Sequence, residues 1–155
     1  MSVSLSSPVT GSAQTGFTSP TYTVAVDTPP DVNSKQWVVT ALGGTQTGVT
    51  SNTPSDPFTI TFKRPKSLKT VPPVGTNGVL IRRAPKNEWR MIVRKGSRPA
   101  ANQAYDINLI DVRIPVVSGG ETYDSAEVRA MLSLAIGALS QISAGLGDSL
   151  VTGVL

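Results

Sequence analysis

Eleven of the fourteen basic residues fall in one window, at Lys63, Arg64, Lys66, Lys69, Arg82, Arg83, Lys86, Arg90, Arg94, Lys95 and Arg98, with Glu88 as the one acid among them. The window carries +10 and the rest of the chain −6. Cations gathered this way suit a polyanion, because each one placed near a phosphate releases a condensed counterion. Charge kept for solubility is the plainer reading, but solubility does not require the acids to be segregated elsewhere. The chain contains neither histidine nor cysteine, so Ser-His and Cys-His catalysis, thiolate nucleophiles, disulfides and ordinary zinc sites drop out. A hydrolase built on Asp106 and Asp111 would have no histidine or metal motif to support it. The sequence therefore predicts no catalytic residues, no metal or cofactor, and no small-molecule substrate.

These cations need a scaffold. At 155 residues and 16.2 kDa the chain is the size of one domain, taken as 1–155. Charged residues are 15%, against about 25% in an average soluble domain, and 14 Gly and 12 Pro point to short strands and turns. Residues 21–27 alternate Tyr22, Val24 and Val26 with small or hydroxylated residues and stop at Pro29-Pro30. Residues 35–41 carry Trp37 and Val39 on one face and end at Gly43-Gly44. Phe58–Lys63 has the clearest alternation. A connection rich in Pro, Lys and Gly (64–78) follows. Segments 79–83 and 88–95 flank Ala84-Pro85-Lys86-Asn87 and read as a hairpin. Residues 105–117 form the last and longest strand. With a weak early segment at 9–15, seven stretches carry a strand pattern, antiparallel by the shortness of most connections.

The apolar period then changes from 2 to 3.6. Asp124 and Glu127 have capping-box spacing, and Tyr123 and Val128 are spaced for a hydrophobic staple. Val128, Met131, Leu132, Ala135, Ile136, Leu139 and Ile142 form one continuous stripe, Gly145 closes the helix, and a short second helical turn follows at 148–152. The N-terminal ten residues lack the basic and apolar runs of a signal peptide. The uncharged stretch 130–147 approaches the length of a membrane span, but Ser133, Ser140, Gln141 and Ser143 interrupt it, so it is expected to be buried against protein.

Alternation sorts the sheet into two faces. Phe58, Ile60, Phe62, Trp89, Met91, Val93, Ile110, Val112 and Ile114 make one apolar face that requires a helical lid, supplied by the same chain or by a neighbour. The other carries Thr59, Thr61, Lys63, Arg90, Arg94, Asp111 and Arg113, with Ile92 and Leu109 among them. Hydroxyls and cations on an open antiparallel face suit phosphate and sugar contacts. An ordinary solvated face, with Asp111 pairing Arg113 or Arg94, fits the same residues.

The order of these segments resembles the coat proteins of single-stranded RNA bacteriophages. An N-terminal hairpin region, successive antiparallel strands, a long last strand ending in Ile114-Pro115, a short acidic Gly-containing turn, and a helix with Glu127-Val128 near its start are all similar to that family. Thr23-Val24-Ala25 and Gln36-Trp37-Val38-Val39-Thr40 look like its second and third strands. Phe58–Lys63 is similar to the strand whose hydroxyl, hydroxyl, base pattern faces RNA. The likeness runs from about Thr21 to the end.

What the resemblance implies is an α+β fold. An N-terminal hairpin region (about 1–19) precedes an antiparallel sheet of about five strands (20–117), and one long and one short C-terminal helix follow (122–155). Two copies would intertwine into a homodimer with a shared sheet, each helix lying on the partner through Val128, Met131, Leu132, Ala135, Ile136 and Leu139. Dimers would close into an icosahedral T=3 capsid around a single-stranded RNA genome, with RNA contacted by Thr59, Thr61, Lys63, Arg90, Arg94 and Arg113. In the family one RNA hairpin serves as a packaging and translational-repression signal. Aligned on Ile114-Pro115, the family's base-stacking tyrosine falls at Ile107, with Tyr105 two residues away. Residues 95–103 correspond to the loop around the shell's symmetry axes, where Gly96 and Pro99 suit alternative conformations. The implied location is the virion, after synthesis in the bacterial cytoplasm, with no membrane partner. A sheet-based RNA-binding module outside any capsid is the alternative; stacking aromatics would favour it, and they are only 5% of this chain.

Overall fold

The computed structural model describes residues 3–155, so residues 1 and 2 of the expected N-terminal hairpin region lie outside the described residues. Six strands follow one another in an antiparallel meander: β1 (Val9–Thr10), β2 (Thr18–Asp27), β3 (Ser34–Thr45), β4 (Phe58–Lys63), β5 (Lys86–Ser97) and β6 (Asp106–Val117). Three helices complete the chain: α1 (Gly120–Tyr123), α2 (Ser125–Gln141) and α3 (Ser143–Thr152).

Two strand boundaries depart from the expectation for local reasons. Gly43-Gly44 does not end β3, which continues to Thr45. Gly44, at φ +71°, sits so close to the carbonyls of Thr18 and Ser19 that only a residue without Cβ fits, and the ladder absorbs an irregularity there. Segment 79–83, expected as a strand paired with 88–95, makes only a single bridge between Val74 and Leu80. The reason is competition: β5 is paired by β4 along one edge from Arg90 to Lys95 and by β6 along the other edge over its whole length, so most of the ladder that 79–83 would need is taken.

The helical end differs too. Helical turns begin at Gly120, so Asp124 lies between α1 and α2 and its N–H is already bonded to the Gly120 carbonyl; its side chain makes no cap bond. The expected capping box is therefore not formed, and Tyr123, 97% exposed, makes no staple. Gly145 lies inside α3 rather than at a helix end, and the break falls at Ile142, where α2 and α3 meet at 62°. The bend is tethered from the N-terminal segment, where the Gln14 Nε2 donates to the Ser143 carbonyl at 2.9 Å and to its hydroxyl at 2.8 Å. No single helix among the described residues is long and apolar enough to cross a membrane.

Candidate nucleic-acid interface

Residues opposite one another in an antiparallel pair point to the same side, as do residues two apart along a strand. The observed register lays three parallel rows across the sheet: Ala25, Val38, Thr59, Arg94, Leu109; then Asp27, Gln36, Thr61, Ile92, Asp111; then Ser34, Lys63, Arg90, Arg113. All six residues assigned to RNA from the sequence thus share one face. The reverse face gathers Trp37, Ile60, Val93 and Ile110 in one row and Phe62, Met91 and Val112 in the next. There Phe62 stacks on Trp89, with centroids 6.1 Å apart, and Tyr22 meets Phe58 edge-on at 5.6 Å.

The polar face is largely satisfied from within. Thr61 is 2% exposed and donates to Gln36 Oε1 at 2.8 Å, while Gln36 Nε2 donates to Asp27 Oδ2 at 2.6 Å. Thr59 is also buried. Lys63 Nζ lies 3.2 Å from Asp31. Arg90 grips Asp111 with both fork nitrogens, at 2.6 and 2.7 Å, and Arg113 reaches the same carboxylate at 3.2 Å. The bond from Arg90, strengthened by Arg113, holds Asp111 below the usual carboxylate range, and Asp111 raises Arg90. The Lys63 bond lowers Asp31 in the same way. The Asp111–Arg113 pair anticipated from sequence is present, and Arg90 takes the place of Arg94 as the closer partner. Arg94 is exposed and has no acidic partner among the described residues.

Several side-chain contacts around the sheet were not anticipated by sequence reasoning. Asp31 belongs to a turn in which its carboxylate accepts the Asn33 N–H at 2.9 Å; the Asp-Val-Asn-Ser string after Pro29-Pro30 is the signal that could have found it. Arg98 lies over the Tyr105 ring at 4.6 Å, joining a cation to an aromatic beside the exposed Ile107 and Leu109. Asp56, 1% exposed, anchors the root of the β5–β6 loop. Burial pushes its carboxyl up, but Lys95 Nζ at 2.5 Å and the Thr50 hydroxyl together hold it below the ordinary range.

The helices present the opposite condition. No residue of α2 is buried, and Met131, Leu132, Ile136 and Leu139 are exposed, Ile136 by 60%; Ala135 is exposed and Val128 half-buried. On the sheet, β6 is the terminal strand, and its outer edge has no strand partner among the described residues.

A curled six-stranded antiparallel sheet trailed by apolar helices that find no seat on it is an architecture for assembly with copies, as in a capsid protein. A search of solved structures bears this out: 99% of the chain superposes on 100% of a chain of the virus-like particle of bacteriophage ESE020, with a TM-score of 0.95 and 55% sequence identity. The chain belongs to the bacteriophage coat protein family. It is thereby a structural protein. No protein-family model and no curated protein matches it.

Proposed function

We propose that this chain is the coat subunit of a single-stranded RNA bacteriophage. Two copies join their β6 edges into one sheet and exchange their helices, which lie on the partner's apolar face. The dimers close into an icosahedral T=3 shell with the polar face turned to the RNA. The subunit is made in the bacterial cytoplasm and resides in the virion.

One observation carries the dimer. The protomer exposes 10,995 Å², roughly half as much again as the ~7,500 Å² of a compact monomer of this mass. Among the described residues the buried hydrophobic side chains are Trp37, Val39 and Ile92, too few to hold a domain of this length. Exposed large hydrophobic side chains cluster on α2, α3 and β6, and an apolar hollow of about 280 Å³ floored by Val24, Val39, Phe58 and Val93 is shaped for a partner's helix to fill. A long unprotected strand edge beside it calls for a second strand.

RNA contact on this reading falls first on Arg94 and Arg113, the most exposed cations of the face, with Lys63 and Arg90 able to turn from carboxylate to phosphate. Thr59 and Thr61, being buried, hold the strand in place beneath them. The pair of Arg98 and Tyr105 supplies a stacking surface at the loop end. The test is purification of the expressed chain. Spherical particles in negative stain that contain RNA are expected, and the triple change Arg90→Ala, Arg94→Ala, Arg113→Ala should leave dimers intact while lowering the nucleic-acid content. A soluble, folded monomer with ordinary RNA affinity would replace this reading with the non-capsid module. Selective retention of one hairpin among random RNAs checks for a repressor role.

A further inference from the structure

The connection between β4 and β5 is the most basic surface of the molecule, and the six residues assigned to RNA leave it unused. Residues 64–85 hold Arg64, Lys66, Lys69, Arg82 and Arg83 and no acid. None of these cations has an acidic partner among the described residues. The segment is built rather than loose. Asn87, 4% exposed, accepts the Lys69 N–H at 2.8 Å and donates to its carbonyl at 3.1 Å. The Ile81 N–H donates to the Pro73 carbonyl at 3.1 Å, which folds the two legs of the loop together. Asn87 alternates onto the side of Trp89 and Met91, so the loop is fastened on the face away from Arg94 and Arg113. Phosphates bound at the polar face lie on the other side of the sheet.

Between its cations the loop exposes Leu68, Val79 and Ile81, the last by 70%. Aliphatic side chains rimmed by charge, with no aromatic among them, fit a protein surface better than a nucleotide. This chain carries a surface of the complementary sign. Glu121, Asp124 and Glu127 stand at the β6–α2 corner with no base between them, none of them in an ion pair among the described residues, beside the fully exposed Tyr123. The loop and corner are neighbours, since Val71 packs on Gly119, yet they form no ion pair with each other among the described residues. Two surfaces of opposite charge, each without ion pairs at home and repeated on every copy, complement one another between copies.

We infer that the 64–83 loop is a contact between neighbouring subunits, seating its cations and aliphatic side chains on the acidic 121–127 corner of a second copy. This rests on the shell reading above. The test uses the full chain in three forms. One carries Lys66→Glu, Lys69→Glu, Arg82→Glu and Arg83→Glu. A second carries Glu121→Lys, Asp124→Lys and Glu127→Lys. The third carries both sets. Each single set should lower the particle yield at least about tenfold through like-charge contact, with the far-ultraviolet spectrum and the dimer peak on size exclusion unchanged. The combined form should restore particles. Undiminished yield from the loop set overturns the inference. So does a combined form that keeps its dimers but stays unassembled, and so does a loop set whose sole effect is loss of packaged nucleic acid. If the unaltered chain forms no particles, the shell reading itself fails, and this contact with it.

Discussion

The polar sheet face and the C-terminal helix stripe are opposite solutions to the same problem. On the sheet the strong groups other than Arg94 find partners nearby: Asp111 serves two arginines, Asp31 serves Lys63, and the Thr61 hydroxyl donates to Gln36. On α2 nothing is settled, because a row of apolar side chains stands in solvent with no residue buried. A satisfied charged surface needs no further contact to be stable and can exchange internal ion pairs for external ones at small net cost. An exposed apolar stripe has no such freedom. On the proposed reading the helices are the obligatory interface and the sheet the adjustable one.

That contrast can be broken at its strongest point first. Leu132→Asp together with Ile136→Asp should abolish association, raising the dimer Kd more than about 100-fold because each would place an unpaired charge in an apolar contact. Sedimentation equilibrium reads this directly, and unchanged dimers would place the interface elsewhere. Next in size is Asp56→Asn. It removes the buried partner of Lys95 but lets the half-exposed ammonium turn to water, for a loss of about 2 kcal/mol, below the ~3–5 of a fully buried pair. A fall of roughly 5 °C in Tm in a thermal melt is the expected result.

Acid should act on the same groups. Asp31, Asp56 and Asp111 all have folded-state pKa values lowered from the ordinary 3.8. Their contribution is complete above that value and is lost as pH falls through the lower folded values. Unfolding followed by circular dichroism should therefore steepen only below about pH 4, and Asp56→Asn should flatten part of that slope. Smaller again, Arg94→Ala should weaken RNA binding evenly across sequences and reduce the salt slope by about one. Thr61→Val should be smallest on RNA, with affinity within about twofold and a stability loss of about 1 kcal/mol from the orphaned Gln36. A large loss of RNA affinity there would show that the hydroxyl leaves Gln36 for the ligand.

Period-2 alternation was enough to place Thr59, Thr61, Lys63, Arg90, Arg94 and Arg113 on one face, because side-chain direction in a strand is a local property. The helix stripe was equally legible. Pairing partners were not, because they depend on which edges are vacant. Residues 79–83 have strand-like composition but meet a β5 already paired on both sides. Gly43-Gly44 has the composition of a stop but continues the strand opposite a bulge at Ser19-Pro20, and the close Thr18 and Ser19 carbonyls decide its role. The capping box failed for a similar reason: Gly119 and Gly120 start the helical turns one step early, and Asp124 ends one helix before it begins the next. Of the candidate site, the cations were visible in the sequence and their neutralisation by Asp31 and Asp111 was only partly so. Charge balance across strands is set by register, which spacing alone does not give.

The clamp at Asp56 bears on how one chain can occupy unlike positions in a closed surface. With Lys95 gripped by a carboxylate from the preceding strand connection and the Gly96 N–H bonded to the Pro57 carbonyl at 3.0 Å, the tip at 98–105 pivots from a fixed mount. A change of shape at the tip then stops at the mount and leaves the strands undisturbed. The loop tip and the sheet are thereby joined through a mount made of one ion pair, one backbone bond and the last rungs of the β5–β6 ladder.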